Sequence, residues 1–444
     1  MKSNDDNPGT CSWPAVGRFA VFATVAVMPA VPSISGVGFW LLALVGLLLH
    51  ATPAGRRHAA PRDLWYMAVL VYGIDCLSVF VYDQRFREAV WYPVIALPAL
   101  WPVLRLSRVR IEDLVWAGCV GCFASLIWGV WVAMREADVR ASLGTNAIIY
   151  GQTALASVLI AVVGRQLVGR RAASDGGWSG WRDRRHLLNL AALAGLCVVM
   201  IVGYRGALFA LPIFAAAIVG VGAPPGTRVA PSWGRVSIAV AVLFIVVAVA
   251  GPREGLLDRL LLMQSEVSEY ASGKIGFSSL GSRLELWEAA GRMFVGHPWI
   301  GVGVHRFQDE LEVLRAQGLF PHDVILFKHA HNSYLTVAAE FGVLGLVVWT
   351  GLLAVVVRRL REAPWFARQL GLFVLGLWLV MALTNDVLAH QATMRAIAIV
   401  LAICMAMRDD DRFGTRRTDP GTRRTDPISE SGGGPSALPS RPGG

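Results

Sequence analysis

The chain has 444 residues, 55% of them hydrophobic and only 16% charged, with a mean hydropathy of +0.52 and a formal net charge of +10. Soluble domains carry about 25% charged residues, so the composition excludes an ordinary soluble enzyme and points to a polytopic membrane protein, each helix needing roughly 20 apolar residues to cross a hydrocarbon core of about 30 Å. The basic excess is spread over short loops between apolar runs, which gives it a topological use and leaves no face for nucleic acid.

The N-terminus lacks a basic region followed by a clear cleavage site, so the first apolar run reads as a retained span. Twelve apolar runs follow one another, at about 15–32, 36–52, 64–82, 88–104, 112–134, 146–164, 187–203, 206–222, 236–251, 333–357, 369–388 and 393–407. The pairs around Ser35 and Arg205 predict tight hairpins. The fold class expected is therefore all-α, with about twelve transmembrane helices. Its segments are an N-terminus at 1–14, nine spans over 15–250, a long loop at 251–332, three spans over 333–407 and a tail at 408–444.

Arginine placement orients the bundle. Eighteen arginines, among them Arg56, Arg57, Arg105, Arg108, Arg358 and Arg359, fall on one side, against six in the short loops of the other. The richer side is cytoplasmic by the positive-inside rule, and both termini share it. The 251–332 loop is then external. It mixes eight basic with ten acidic residues, so it is no polybasic lipid-binding surface. A structureless loop of that length is improbable. "SRLELWEAAGRMF", from Ser282 to Phe294, places Leu284, Trp287 and Met293 at near-helical spacing and predicts an amphipathic helix, followed by a turn-rich stretch with Gly296, Pro298, Gly301 and Gly303. The tail repeats "GTRRTDP" twice and has too little apolar surface to fold. Of the six cysteines, Cys119 and Cys122 form a C-x-x-C inside a span and read as small hydrophobes.

Chemistry can gather at the external lip. His331 immediately precedes the tenth span, and Asn332 or Ser333 can cap the helix there. The positive end of that helix disfavours imidazolium and keeps His331 able to accept a proton. The competing reading is a plain interfacial polar residue. His329, two residues earlier, would face elsewhere on a helix. Arg205 sits with Gly203 and Gly206 in the shortest external hairpin, where the positive-inside bias gives it no topological reason to be; the alternative is an arginine snorkelling to headgroups. Arg283 opens the amphipathic helix, and a solvated surface charge is its bland reading. Arginines above an apolar bundle suit a phosphate, which the planar guanidinium grips in two places. A metal site could draw on His305, His322, Asp323, His329 and His331, but their spacing matches no common ligand motif. Glu340, about nine residues or ~13 Å along the helix from His331, joins Asp75 and Asp386 as acids expected within spans and so as secondary candidates.

The segment "HNSYLTVAAEFGVLG" has the pattern H-N, nine residues, G-x-x-G, on His331, Asn332, Gly342 and Gly345. In this it resembles the O-antigen ligase and polymerase superfamily. "YRGALFAL" around Arg205 resembles the family's short-loop arginine motif. "SRLELWEAAGRMFVGHPWIGVGVHRF" is similar to its long-loop motif, with Arg283, Trp287, Pro298, Gly301 and Gly303 in matching places. The resemblance implies transfer of a glycan from undecaprenyl diphosphate to a lipid A–core sugar, with inversion, at the periplasmic face of a Gram-negative inner membrane. It further implies no cofactor or metal, a diphosphate clamp of Arg205 and Arg283, and His331 as general base. Asn332, His329, Trp287, His305 and Glu340 would support them. A repeat-unit polymerase and a protein O-oligosaccharyltransferase share the motifs. Outside the class, a lipid-linked glycan transporter or flippase is the rival, although no internal repeat is visible.

Overall fold

A computed structural model describes residues 13–82, 92–135, 146–174, 179–220, 279–320 and 327–407. The expected ninth span at 236–251, the first part of the long loop, Cys11, His322, Asp323 and the repeated tail lie outside the described residues.

Among the described residues the fold is all-helical. The helices are α1 (Trp13–Val27), α2 (Pro32–His50), α3 (Pro53–Arg57), α4 (Arg62–Val81), α5 (Tyr92–Leu106), α6 (Ile111–Arg135), α7 (Ala147–Ser174) and α8 (Ser179–Val202). A 3-10 turn (Arg205–Ala210) leads into α9 (Leu211–Gly220), and then come α10 (Ser279–Gly296), α11 (Phe307–Ala316), α12 (Ser333–Glu362), α13 (Trp365–Thr384) and α14 (Gln391–Ala406). Six of these, within α4, α6, α7, α8, α12 and α13, are long and apolar enough to cross a membrane; α1, α2, α5 and α14 contain shorter apolar stretches. Helices are forced here, because a bilayer offers no water to satisfy backbone N–H and C=O groups. Phe80, Ile127, Met134, Leu193 and Val347 stay exposed on the outside of the bundle, as lipid contact requires.

The main core runs through α1, α2, α4 to α8 and α12 to α14. Close approaches depend on small residues: a Cβ at Gly46 of α2 would stand 1.8 Å from the Ala99 carbonyl oxygen of α5. Ion pairs tie the helices at one end. Arg18 of α1 grips Asp113 of α6 with two hydrogen bonds, at 3.0 and 2.7 Å. Asp63 of α4 accepts from both Arg358 and Arg359 of α12.

A second, smaller core caps the opposite end, where α12 begins. It joins Leu286, Ala289, Ala290 and Met293 of α10 to Val302, Phe307 and Leu311 around α11, and to Ala330 and Ala339. The amphipathic helix expected over 282–294 is thus present as α10, but its buried stripe is Leu286–Ala289–Ala290–Met293, with Leu284 half-buried. The docking partner selects the face: α10 packs against α12. The first hairpin turns at Met28–Val31, earlier than expected, because Pro32 suits a helix start and places the break before Ser35.

Candidate active site

The segment before α12 is held from three directions. Asn332 has extended backbone angles, and its side-chain oxygen accepts from the backbone N–H groups of Tyr334 (3.0 Å) and Leu335 (3.2 Å), the capping role expected of it. Its amide donates to the Leu383 carbonyl at the end of α13 (3.2 Å). The Ser333 hydroxyl lies 3.1 Å from the Asp386 carboxylate and accepts from the Val387 N–H at 2.9 Å. Trp287 of α10 donates its indole N–H to the Ala330 carbonyl at 3.1 Å. These bonds fix residues 327–333 between α10 and the α13–α14 turn.

His331 sits inside this frame with φ of +52°, a left-handed conformation that costs a side-chain-bearing residue about 1–2 kcal/mol. Two consequences follow. First, the segment is not helical, so the expectation that His329 faces away is wrong. The His329 and His331 rings are 4.6 Å apart, edge to face, and His329 Nδ1 accepts the His331 backbone N–H at 3.3 Å. Second, the His331 ring points toward the α13–α14 turn, where its Nδ1 is 3.4 Å from the Asn385 side-chain oxygen. With the Asn385 amide in this orientation its oxygen accepts from Nδ1–H, which leaves Nε2 as the lone-pair nitrogen, while the buried Asn385 Nδ2 has no hydrogen-bond partner among the described residues. His390 adds a third imidazole, its ring 6.0 Å from that of His329.

All three histidines are neutral near pH 7. Burial lowers His331 to about 4, with His329 and the Arg283 guanidinium pushing the same way and Asn385 and Asp386 opposing. Burial also lowers His329 and His390 to about 4. Desolvation is the largest cause for each of the three. Asp386 does not lie in a span, as expected from the sequence, but in the turn between α13 and α14; burial raises its pKa.

The short arginine hairpin arrives from the other side. The α8 helix ends in a Schellman turn, with Gly203 at φ +63°, Gly203 N–H donating to Met200 O and Tyr204 N–H to Val199 O. Arg205 then opens the 3-10 turn. Tyr204 is buried. Its hydroxyl accepts from Gln152 at 3.3 Å, and Thr393 of α14 in turn donates to Gln152 at 2.9 Å. Gly206 is required by packing, since a Cβ there would stand 2.5 Å from that hydroxyl. Arg283, at the first turns of α10, is near enough for its charge to act on both Tyr204 and His331. The three sequence motifs therefore converge on one end of the bundle.

Glu340 and His305 serve a different joint. Gly342 breaks α12 with φ of +61° and ψ of −154°. Across the break, Val302 and Gly303 N–H donate to Ala339 O and Glu340 O (2.8 and 3.0 Å), and Val343 and Leu344 N–H donate to Pro298 O and Trp299 O (2.8 and 3.1 Å). The buried Glu340 carboxylate receives the backbone N–H groups of His305 and Phe307. Tyr82 of α4 donates its hydroxyl to Gly301 O, and Ser78 accepts the Val304 N–H at 2.7 Å. The glycines make this contact possible: a Cβ on Gly301 would meet the Glu340 carbonyl carbon at 2.2 Å, and one on Gly345 would meet Phe341 Cβ at 2.2 Å. Asp75, elsewhere on α4, is 2% exposed and its carboxylate oxygens have no hydrogen-bond partner among the described residues. No three His, Cys, Asp or Glu side chains among the described residues are arranged to hold a metal ion.

Sequence reading missed Tyr204, Gln152, Asn385 and His390 as parts of this site. Only Tyr204 carried a local signal, its position beside Arg205.

Residues 190–350 match a family model described as O-antigen ligase. The matched stretch contains Arg205, Arg283, His331, Gly342 and Gly345. No curated protein matches the chain.

Proposed function

We propose that this membrane protein, whose residues 190–350 match a family model described as O-antigen ligase, transfers a glycan from undecaprenyl diphosphate to a lipid A–core sugar at the periplasmic face of the inner membrane. One observation carries the reading. The imidazole of His331, held well below its ordinary pKa by burial, meets Asn385 through Nδ1 and leaves Nε2 outside that contact, at the bundle end where the Arg283 charge is also felt.

In this reading Nε2 of His331 takes the proton of the acceptor hydroxyl, whose oxygen attacks the anomeric carbon from the face opposite the leaving group. The bond from that carbon to the diphosphate oxygen breaks, and the electron pair departs with undecaprenyl diphosphate. Arg205 and Arg283 grip the diphosphate and offset the charge that grows on it. Asn385 is a positioning residue, holding the tautomer; His329 supports the backbone of His331. Both substrates are lipid-anchored, which is why base and arginines stand at the membrane lip. The diphosphate is already a good leaving group, so the transfer needs no cofactor, and it should survive chelation by EDTA.

The test is a reconstituted assay offering the donor with lipid A–core, a second donor molecule and a pilin-like peptide side by side. Glycosylated lipid A–core is the expected product. Exclusive elongation of the donor makes the protein a polymerase, and exclusive peptide modification a protein oligosaccharyltransferase; either overturns the acceptor proposed. For the orientation, single cysteines replacing Ala59 and Gln317, both exposed, are exposed to a membrane-impermeant thiol reagent in intact cells, in a cysteine-free background. Labelling at 317 and not at 59 is expected; the reverse would invert the topology.

A further inference from the structure

At the end of the bundle opposite the histidines, where α5 and α14 finish and α1 begins, a cavity of about 450 Å³ opens. Arg105, Arg108 and His58 line it together with Trp13, Ala406 and Met407, and no acidic side chain among the described residues contributes to the lining. Arg105 donates to the Ala406 carbonyl, covering one negative end of α14.

Arg108 is the informative residue. The end of α5 is a Schellman turn: Arg108 N–H donates to Arg105 O (3.3 Å) and Val109 N–H to Leu104 O (3.5 Å), with Leu104 and Val109 both buried as the accompanying apolar contact. The turn demands a left-handed residue at its fifth position, and Arg108 takes it at φ +49°. Among the described residues the same turn occurs twice more, at the ends of α8 and α11, and there the position holds Gly203 (φ +63°) and Gly318 (φ +76°). Glycine pays nothing for this conformation, whereas arginine does. At α5 a strained arginine stands where the fold elsewhere uses glycine, and this arginine lines the cavity. Strain retained at one of three equivalent turns marks a residue kept for what its side chain contacts.

We infer that this cavity binds the phosphate headgroup of an anionic phospholipid. The basic lining supplies the charge, and the volume accommodates a glycerophosphate. Trp13, 48% exposed, is the amphipathic ring found at headgroup depth. Leu104, Val109 and Ile403 also line the cavity and would take the first carbons of the acyl chains. Basic pockets between transmembrane helices are a recognised setting for such headgroups.

The experiment uses the full-length protein in detergent, titrated with phosphatidylglycerol or phosphatidylcholine and read by native mass spectrometry. Wild type should retain phosphatidylglycerol at least about 5-fold over phosphatidylcholine, the preference expected from one basic contact. Arg108→Gly should remove about 5-fold of that preference and melt no lower than wild type in phosphatidylcholine, because it relieves the left-handed strain. Arg292→Ala, on α10 at the other end and outside the proposed site, should leave the preference intact. Equal retention of the two lipids, an Arg108→Gly variant with undiminished preference, or loss of preference in Arg292→Ala overturns the inference. Displacement of phosphatidylglycerol by equal glycerol phosphate overturns it in favour of a soluble anion. A preference that emerges only in an Asp409→Asn, Asp410→Asn, Asp411→Asn triple variant overturns it in favour of the chain's own acidic run, which begins two residues beyond Met407.

Discussion

The side-chain oxygen of Asn385 stands 3.4 Å from Nδ1 of His331, across 54 residues of sequence. In the proposed mechanism that contact holds the imidazole of the base, and the first expectation concerns it. Asn385→Leu leaves the ring untethered and should slow transfer about 10-fold or more in kcat. Asn385→Asp places a carboxylate beside the ring, raises the His331 pKa and should move the acid limb of kcat/KM to higher pH. A residue that only filled space would leave that limb where it was.

His331 is held at about 4 by burial, His329 and Arg283, well below the 6.5 of a free imidazole. A base that must be neutral loses activity only as pH falls through its own pKa. kcat/KM should therefore stay level from pH 8 down to about 5.5, where an ordinary histidine base would already be largely protonated. The same depression governs stability. Buried neutral His329, His331 and His390 contribute stability that is fully present above pH 6.5 and lost as pH falls toward 4, so thermal melting should decline across that window. A melting temperature independent of pH between 7 and 4.5 would contradict the burial of all three.

His331→Ala should lower single-turnover transfer about 10²–10⁴-fold while insertion into the membrane is unchanged. His329→Ala should fall between wild type and that variant, since the His329 ring lies against His331 and accepts its backbone N–H. Full activity of His331→Ala would reassign the base.

Arg283→Lys keeps the charge and loses the planar fork. A two-point grip on phosphate predicts a variant nearly as poor as Arg283→Ala, about 10²-fold down. Restoration to wild-type rates by lysine would mean that Arg283 supplies field alone.

Gly301→Ala drives a methyl group to 2.2 Å from the Glu340 carbonyl carbon at a backbone angle of φ +68°. The loop should detach from the α12 break, exposing Val302–Phe307 to hydrogen exchange and abolishing transfer, with the bundle itself intact. Exchange rates like those of the wild type would show that the joint tolerates the side chain.

The sequence by itself determined the membrane class, most of the described apolar helices, the amphipathic helix now seen as α10 and the Asn332 cap, because each is written in local periodicity or in a single residue at a helix start; the run expected as one span at 206–222 instead opens as a 3-10 turn. The convergence of Arg205, Arg283 and His331 was legible through motifs alone. The tertiary structure decided the rest. Whether His329 faces His331 depended on a non-helical segment held by Trp287, Leu383 and Asp386, none of them neighbours in sequence. The face α10 buries was set by α12. Gly342 sits in an apolar run that reads as unbroken helix; it becomes a break because residues 298–303 supply the hydrogen bonds that the helix gives up there. Arg108 shows the same limit: arginine carries no signal for a left-handed turn, and only the buried Leu104–Val109 contact and the hydrogen bonds closing α5 place it there. Periodicity reports which side of an element is apolar; where the backbone stops being regular is decided by partners far away in the chain.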